Sequence, residues 1–128
     1  MYHKMLQILI VSQDSDLDEI LRKVEPQPGY SHEFLPVQPD LSQFVGAEAD
    51  IILLDLPLSD IPSDIRARCG KTRAQLIYID RESVRDQALV ESGLLEEFAA
   101  IWSAPLSETR LLFQFKRILQ EVQQRWEL

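Results

Sequence analysis

The sequence predicts a single α/β domain built around a parallel, doubly wound sheet. Three observations carry this prediction. The stretch Ala49-Asp50-Ile51-Ile52-Leu53-Leu54-Asp55-Leu56 sets four consecutive apolar residues, two of them β-branched, between two aspartates, the pattern of a central strand covered on both faces. Four more short apolar runs, at 6–11, 32–37, 76–79 and 99–102, alternate with segments of helical spacing or capping residues, as parallel strands joined by helical crossovers require. Finally, 128 residues suffice for one domain and leave no room for a second full one.

The elements follow in order. Leu6-Gln7-Ile8-Leu9-Ile10-Val11 is the first strand, and Ser12-Gln13-Asp14-Ser15-Asp16 after it supplies oxygens that cap a helix. Leu17, Ile20, Leu21 and Val24 give that helix one apolar face, and Pro26-Gln27-Pro28-Gly29 stops it. Residues 32–37 form a weaker strand, which Pro36 and Pro39 place near an edge because proline donates no ladder hydrogen bond. A short helix at 40–45 leads into the central strand, and a brief helix at 64–69, closed by Gly70, follows the loop after it. Leu76-Ile77-Tyr78-Ile79 is the fourth strand and delivers Asp80 to the same sheet edge as Asp55. A helix at 83–91 has Ser83 and Asp86 at capping-box spacing and ends at Gly93. Residues 99–102 are the fifth strand, and Pro105-Leu106-Ser107 opens the longest helix, running to about residue 124.

Composition narrows the function. The chain is 45% apolar and 27% charged, with no apolar run near the ~20 residues of a membrane span and no signal-peptide pattern, which predicts a cytoplasmic protein without a membrane partner. A net charge of -8 opposes phosphate neutralisation and argues against direct nucleic-acid binding. The single Cys69, with only His3 and His32 beside it, leaves too few ligands for a zinc site; both histidines read as surface residues. A carboxylate at the carboxyl end of a central parallel strand lies where open sheets bind ligands, so Asp55 is the first candidate residue.

Ile8-Leu9-Ile10-Val11 with Asp14 and Asp16-Leu17, then residues 49–55, Leu76-Ile77-Tyr78-Ile79 and Ser103-Ala104-Pro105-Leu106 occur in the order and spacing of a known family. Across residues 5–122 the chain resembles a response-regulator receiver domain. That resemblance implies a flavodoxin-like sheet of order 2-1-3-4-5 with helices on both faces. It also implies a place in two-component phosphorelay signalling, with Asp55 at the phosphoacceptor position.

The remaining family positions depart from the pattern. The acidic pair that holds Mg²⁺ falls at Ser12 and Gln13, with Asp14 one residue late; the hydroxyl ending the fourth strand is replaced by Asp80, and the lysine before the proline by Ala104. The usual aromatic falls at Ile101, beside Trp102. Phosphoryl transfer builds negative charge that a divalent ion and an ammonium neutralise, so losing both disfavours the phosphorylated state, and Asp80 beside Asp55 adds like-charge repulsion. The expectation is a degenerate pseudo-receiver: a non-enzymatic signalling module without a cofactor, acting through protein-protein contact independently of phosphorylation. Two alternatives stand beside it. One is a working phosphoacceptor using Asp55, with Mg²⁺ held weakly by Asp14, Asp55 and Asp80. The other is a small-ligand sensor of flavodoxin-like fold, although no glycine-rich phosphate loop follows the first strand.

The last helix adds a partner. Leu112, Phe115, Leu119, Val122 and Trp126 repeat at heptad spacing while Leu111 and Ile118 face the sheet, so the helix is expected to carry two apolar faces and to form a homodimer through the first. The expected organisation is a receiver-like domain at 1–122 and, at 123–128, the start of a linker helix to a downstream effector domain.

Overall fold

The computed structural model describes residues 5–41, 48–69, 74–83 and 86–126, without the side chains of Ser15 and Trp126. Within them the chain runs β1 (Met5–Ser12), α1 (Ser15–Leu21), β2 (Ser31–Phe34), β3 (Ile51–Asp55), α2 (Ile65–Arg68), β4 (Gln75–Asp80), α3 (Asp86–Ser92), β5 (Phe98–Ser103) and α4 (Glu108–Trp126), with 3-10 turns at Leu58–Asp60 and Leu95–Glu97. All five strands pair in parallel in the order β2-β1-β3-β4-β5, the flavodoxin-like arrangement.

Period-two alternation along the strands divides the core. Ile8, Ile10, Leu53, Ile77 and Trp102 point to one face, where α1 and α4 cover them; Leu9, Ile52, Leu54, Leu76 and Tyr78 point to the other, under Ile61, Ile65 and Leu89. Both faces of β3 are buried throughout Ile51 to Leu54, which is why it reads as an unbroken apolar run. Trp102 is core, and Ile101 packs on the opposite face.

Several elements differ from expectation for identifiable reasons. β2 stops at Phe34, three residues early: Leu35 N–H still donates to Ile8 O, Pro36 has no N–H to give, and pairing resumes with Gln38 N–H to Ile10 O. The helix expected at 64–69 is one turn, and Asp64 makes no side-chain cap but an ion pair with Arg68. Ser83 has φ 51°, in the left-handed region and not the extended backbone of a capping residue, so the proposed capping box does not form. Asp40 and Leu41 sit in a bend, while the rest of the 40–45 helix, Gly70 and His3 lie outside the described residues. His32 is half-buried rather than a surface residue, its ring edge-on to Phe34 and Phe115.

The largest correction concerns α4. Phe115, Leu119 and Val122, placed in sequence on a dimer stripe, are buried in the chain's own core together with Leu111 and Ile118. Leu112 is half-buried at the edge of that face, and the Trp126 side chain is outside the description. At 100° per residue the positions 111, 112, 115, 118, 119 and 122 fall within an arc of about 120°, the width of a single core-facing stripe. Among the described residues these six positions therefore share one face, turned to the core.

Candidate functional site

The site forms at the carboxyl edge of the sheet, where β1 and β3 end in register. Ser12 pairs with Asp55 across the ladder, and alternation turns both side chains to the α1/α4 face. The Ser12 hydroxyl donates to Asp55 Oδ2 at 2.7 Å and accepts from the Asp14 backbone N–H at 2.9 Å, so the residue in an expected acidic position is a hydroxyl that ties Asp55 to the following turn. Asp14 then caps α1: its Oδ1 accepts from Asp16 N–H at 2.9 Å. Gln13 is exposed and is not among the residues that contact Asp55.

Asp80 and Ala104, the other two family positions, contribute differently from the expectation. Along β4 the alternation that sends Ile77 and Ile79 to Asp55's face sends Leu76, Tyr78 and Asp80 to the other. Asp80 is buried, and its carbonyl accepts from Ala104 N–H at 2.9 Å. The like-charge neighbour expected against Asp55 is thus turned away by the pleat. Tyr78 records the acidic surroundings: burial first, then the charges of Asp80, Glu82 and Asp55, push its phenol up to about 12.

The residue after the strand, Arg81, returns to Asp55's side, and the sequence reading missed it. Its Nε donates to Asp55 Oδ1 at 2.6 Å and its Nη2 to Asp55 Oδ2 at 2.9 Å, a two-point guanidinium–carboxylate pair. The same Nη2 lies 3.3 Å from Asp14 Oδ2. Asp55 is only 5% exposed in its side chain, whereas Arg81 is 43% exposed, so the guanidinium closes the site from the solvent side. Its pKa is raised, chiefly by the hydrogen bonds to Asp55, with burial opposing and the charges of Asp55, Asp14 and Asp16 adding. The signal was present in the sequence: an arginine two positions after Ile79 continues the alternation that faces Asp55.

Chemically, both oxygens of Asp55 are occupied, Oδ1 by Arg81 and Oδ2 by Arg81 and Ser12. The three acids of the weak cation alternative, Asp14, Asp55 and Asp80, are not brought together, and among the described residues no three His, Cys, Asp or Glu side chains could hold a metal ion. The cavity beside Asp55, lined by Leu56, Pro57, Tyr78, Arg81 and Glu82, measures about 220 Å³, below the roughly 300 Å³ at which small-molecule sites begin. Elsewhere, Cys69 donates to Ile65 O and burial pushes its thiol pKa up, which disfavours the thiolate form. Among the described residues no helix is long and apolar enough to cross a membrane.

The architecture is that of solved receiver domains. The chain superposes on the receiver domain of a sensor histidine kinase from Pseudomonas aeruginosa, solved with a magnesium ion in its active-site cleft, at a TM-score of 0.60 and 20% identity over 89% of this chain and 97% of that one. It superposes on the ChxR receiver domain from Chlamydia trachomatis at a TM-score of 0.63 and 15% identity, over 92% and 99% of the two chains. For the response-regulator domain of Thermotoga maritima CheB the values are 0.62 and 12%, over 98% of each chain. No protein-family model matches the chain, and no curated protein matches it by sequence. The identities are low enough that the likeness is one of fold.

Proposed function

We propose that this chain is a receiver-fold signalling module that acts through protein-protein contact and keeps Asp55 as a structural carboxylate, not as a phosphoacceptor. One observation carries the reading: the Asp55 side chain is only 5% exposed, with both oxygens engaged by Arg81 and Ser12. An in-line attack on a phosphodonor needs a free carboxylate oxygen and a cation to take up charge on the phosphoryl group. Here the oxygens are committed, and among the described residues the cation in contact is the one that commits them.

The magnesium ion in the Pseudomonas receiver domain poses the sharpest contrast. Octahedral Mg²⁺ binds carboxylate oxygens at about 2.0–2.1 Å. In this chain a divalent ion on Asp55 must first expel a guanidinium whose nitrogens already touch the same oxygens, so the residues present do not fit the ion. The reading extends to partners: the signal passes to an effector domain or a separate protein through a surface whose shape Asp55 and Arg81 help fix.

The phosphoacceptor alternative is favoured by a different observation, the placement of Asp55 at the carboxyl end of the central strand of a receiver-type sheet. Incubating the chain with Mg²⁺ and acetyl phosphate or phosphoramidate, followed by intact-mass spectrometry, decides between them. The structural-carboxylate reading expects no adduct. A phosphoryl mass that disappears in Asp55→Asn overturns it in favour of the alternative.

A further inference from the structure

We infer that Arg81 is a tethered counter-cation: its guanidinium holds the point between Asp14 and Asp55 where a divalent ion would otherwise be bound, and removing it turns the two acids into a divalent-cation site. The inference concerns the same carboxylate as the proposed function but stands on the Arg81 contacts alone.

The geometry is specific. Asp14 belongs to the turn after β1 and Asp55 to the end of β3, yet an oxygen of each converges on one nitrogen, Arg81 Nη2, at 3.3 and 2.9 Å. Two carboxylates from separate segments aimed at one point form the usual protein contribution to a Mg²⁺ site, where one or two acids bind and water completes the shell. The two acids carry two negative charges, of which the guanidinium cancels one. Without it, the 5%-exposed Asp55 carboxylate keeps a hydroxyl donor from Ser12 and, among the described residues, no positive charge in contact. A buried carboxylate in that condition either binds a cation or is destabilised.

The tether explains why an external ion does not take the place in the native chain. Arg81 follows directly on β4, so its charge is held near the acids at an effective concentration that a free ion at millimolar levels must outcompete. The guanidinium also matches a carboxylate at two points, an advantage that a lysine at the same position lacks. The swap of a mobile divalent ion for a fixed monovalent one leaves the carboxylate satisfied at every ion concentration, so the site ceases to respond to metal.

The test compares the native 128-residue chain with Arg81→Ala, using Mn²⁺ as a paramagnetic probe of amide resonances and Mg²⁺ in thermal melts. In Arg81→Ala, saturable Mn²⁺ broadening is expected around residues 12–14 and 55, and Mg²⁺ at some twenty times its dissociation constant raises Tm by about 5 °C. The native chain binds at least tenfold more weakly, and Asp55→Asn in the Arg81→Ala background loses the effect. Equal binding by the native chain, broadening centred elsewhere, or no binding by Arg81→Ala each overturns the inference. If Arg81→Ala does not fold, Arg81→Gln carries the same comparison. None of these outcomes depends on phosphorylation, so a phosphoryl adduct on the native chain defeats the functional proposal and is read separately.

Discussion

Truncating Arg81 to alanine isolates the pair that dominates the site. The change removes two charge-assisted hydrogen bonds to Asp55, at 2.6 and 2.9 Å, and a weaker contact with Asp14 at 3.3 Å. Breaking a fully buried ion pair by deleting one partner costs about 3–5 kcal/mol, because a buried charge is left behind. Here the deleted partner is 43% exposed and water can enter its place, while Asp55 at 5% exposure stays largely dry with Ser12 as its remaining donor. The expected loss is therefore about 2–3 kcal/mol, within the ~5–15 kcal/mol that a domain of this size commands, and about 8 °C in Tm. Asp55→Asn removes the charge along with the strong bonds and should cost about 1–2 kcal/mol; Arg81→Ala combined with Asp55→Asn should cost little more than Arg81→Ala alone. Urea denaturation of the four proteins in this double-mutant cycle yields the coupling energy, expected at about 1–1.5 kcal/mol. Half a molar NaCl should leave most of it intact, since a bidentate pair with one buried member is screened far less than a surface pair. A coupling under about 0.5 kcal/mol, or one abolished by salt, refutes the account of Arg81 as the partner that holds Asp55.

Two further outcomes follow from the packing. Leu119→Glu should unfold the chain or destabilise it by more than about 4 kcal/mol irrespective of protein concentration, because it places a charge in the core under α4; denaturation that varies with concentration, with a folded monomer in sedimentation, would restore the dimer stripe. Burial of His32 lowers its pKa from the usual 6.5, with a hydrogen bond to the Val24 backbone opposing. The unfolded chain then takes up the proton first, so stability is fully present above about pH 6.5 and falls as pH drops through the lowered folded value. His32→Phe should flatten that part of the stability-pH curve, and an unchanged slope between pH 6.5 and 5 in urea melts rejects the assignment.

The fold was legible because its signals are local and redundant. Ile51 to Leu54 are buried on both sides and read as one apolar run, and the alternation of strands with helical segments leaves parallel pairing as the economical arrangement. The end of β2 was not legible, because a short edge strand next to Pro36 depends on which donors find β1 and not on composition. On α4 the relevant positions were all in view, but sorting them by heptad separated Leu119 and Val122 from Leu111 and Ile118, although the helix places them on one face. A period of 3.6 read as 3.5 was enough to split one core face into two.

The site was half legible, and the missing half follows from charge conservation at a buried carboxylate. Position-by-position comparison found Asp55 in place and registered Ser12, Gln13 and Ala104 as losses, since each puts a neutral residue where the receiver pattern has an acid or an ammonium. Losses of that kind cannot be the whole account, because a carboxylate whose side chain is only 5% exposed still requires a positive partner or several donors. The partner must come from a backbone position that reaches the strand end from the same face, and counting in twos along β4 from Ile77 and Ile79 leads to Arg81. Arginine also suits the task better than lysine, since its fork satisfies both oxygens from one side chain. Arg81 thus supplies at the strand end the positive charge that the Asp55 carboxylate requires.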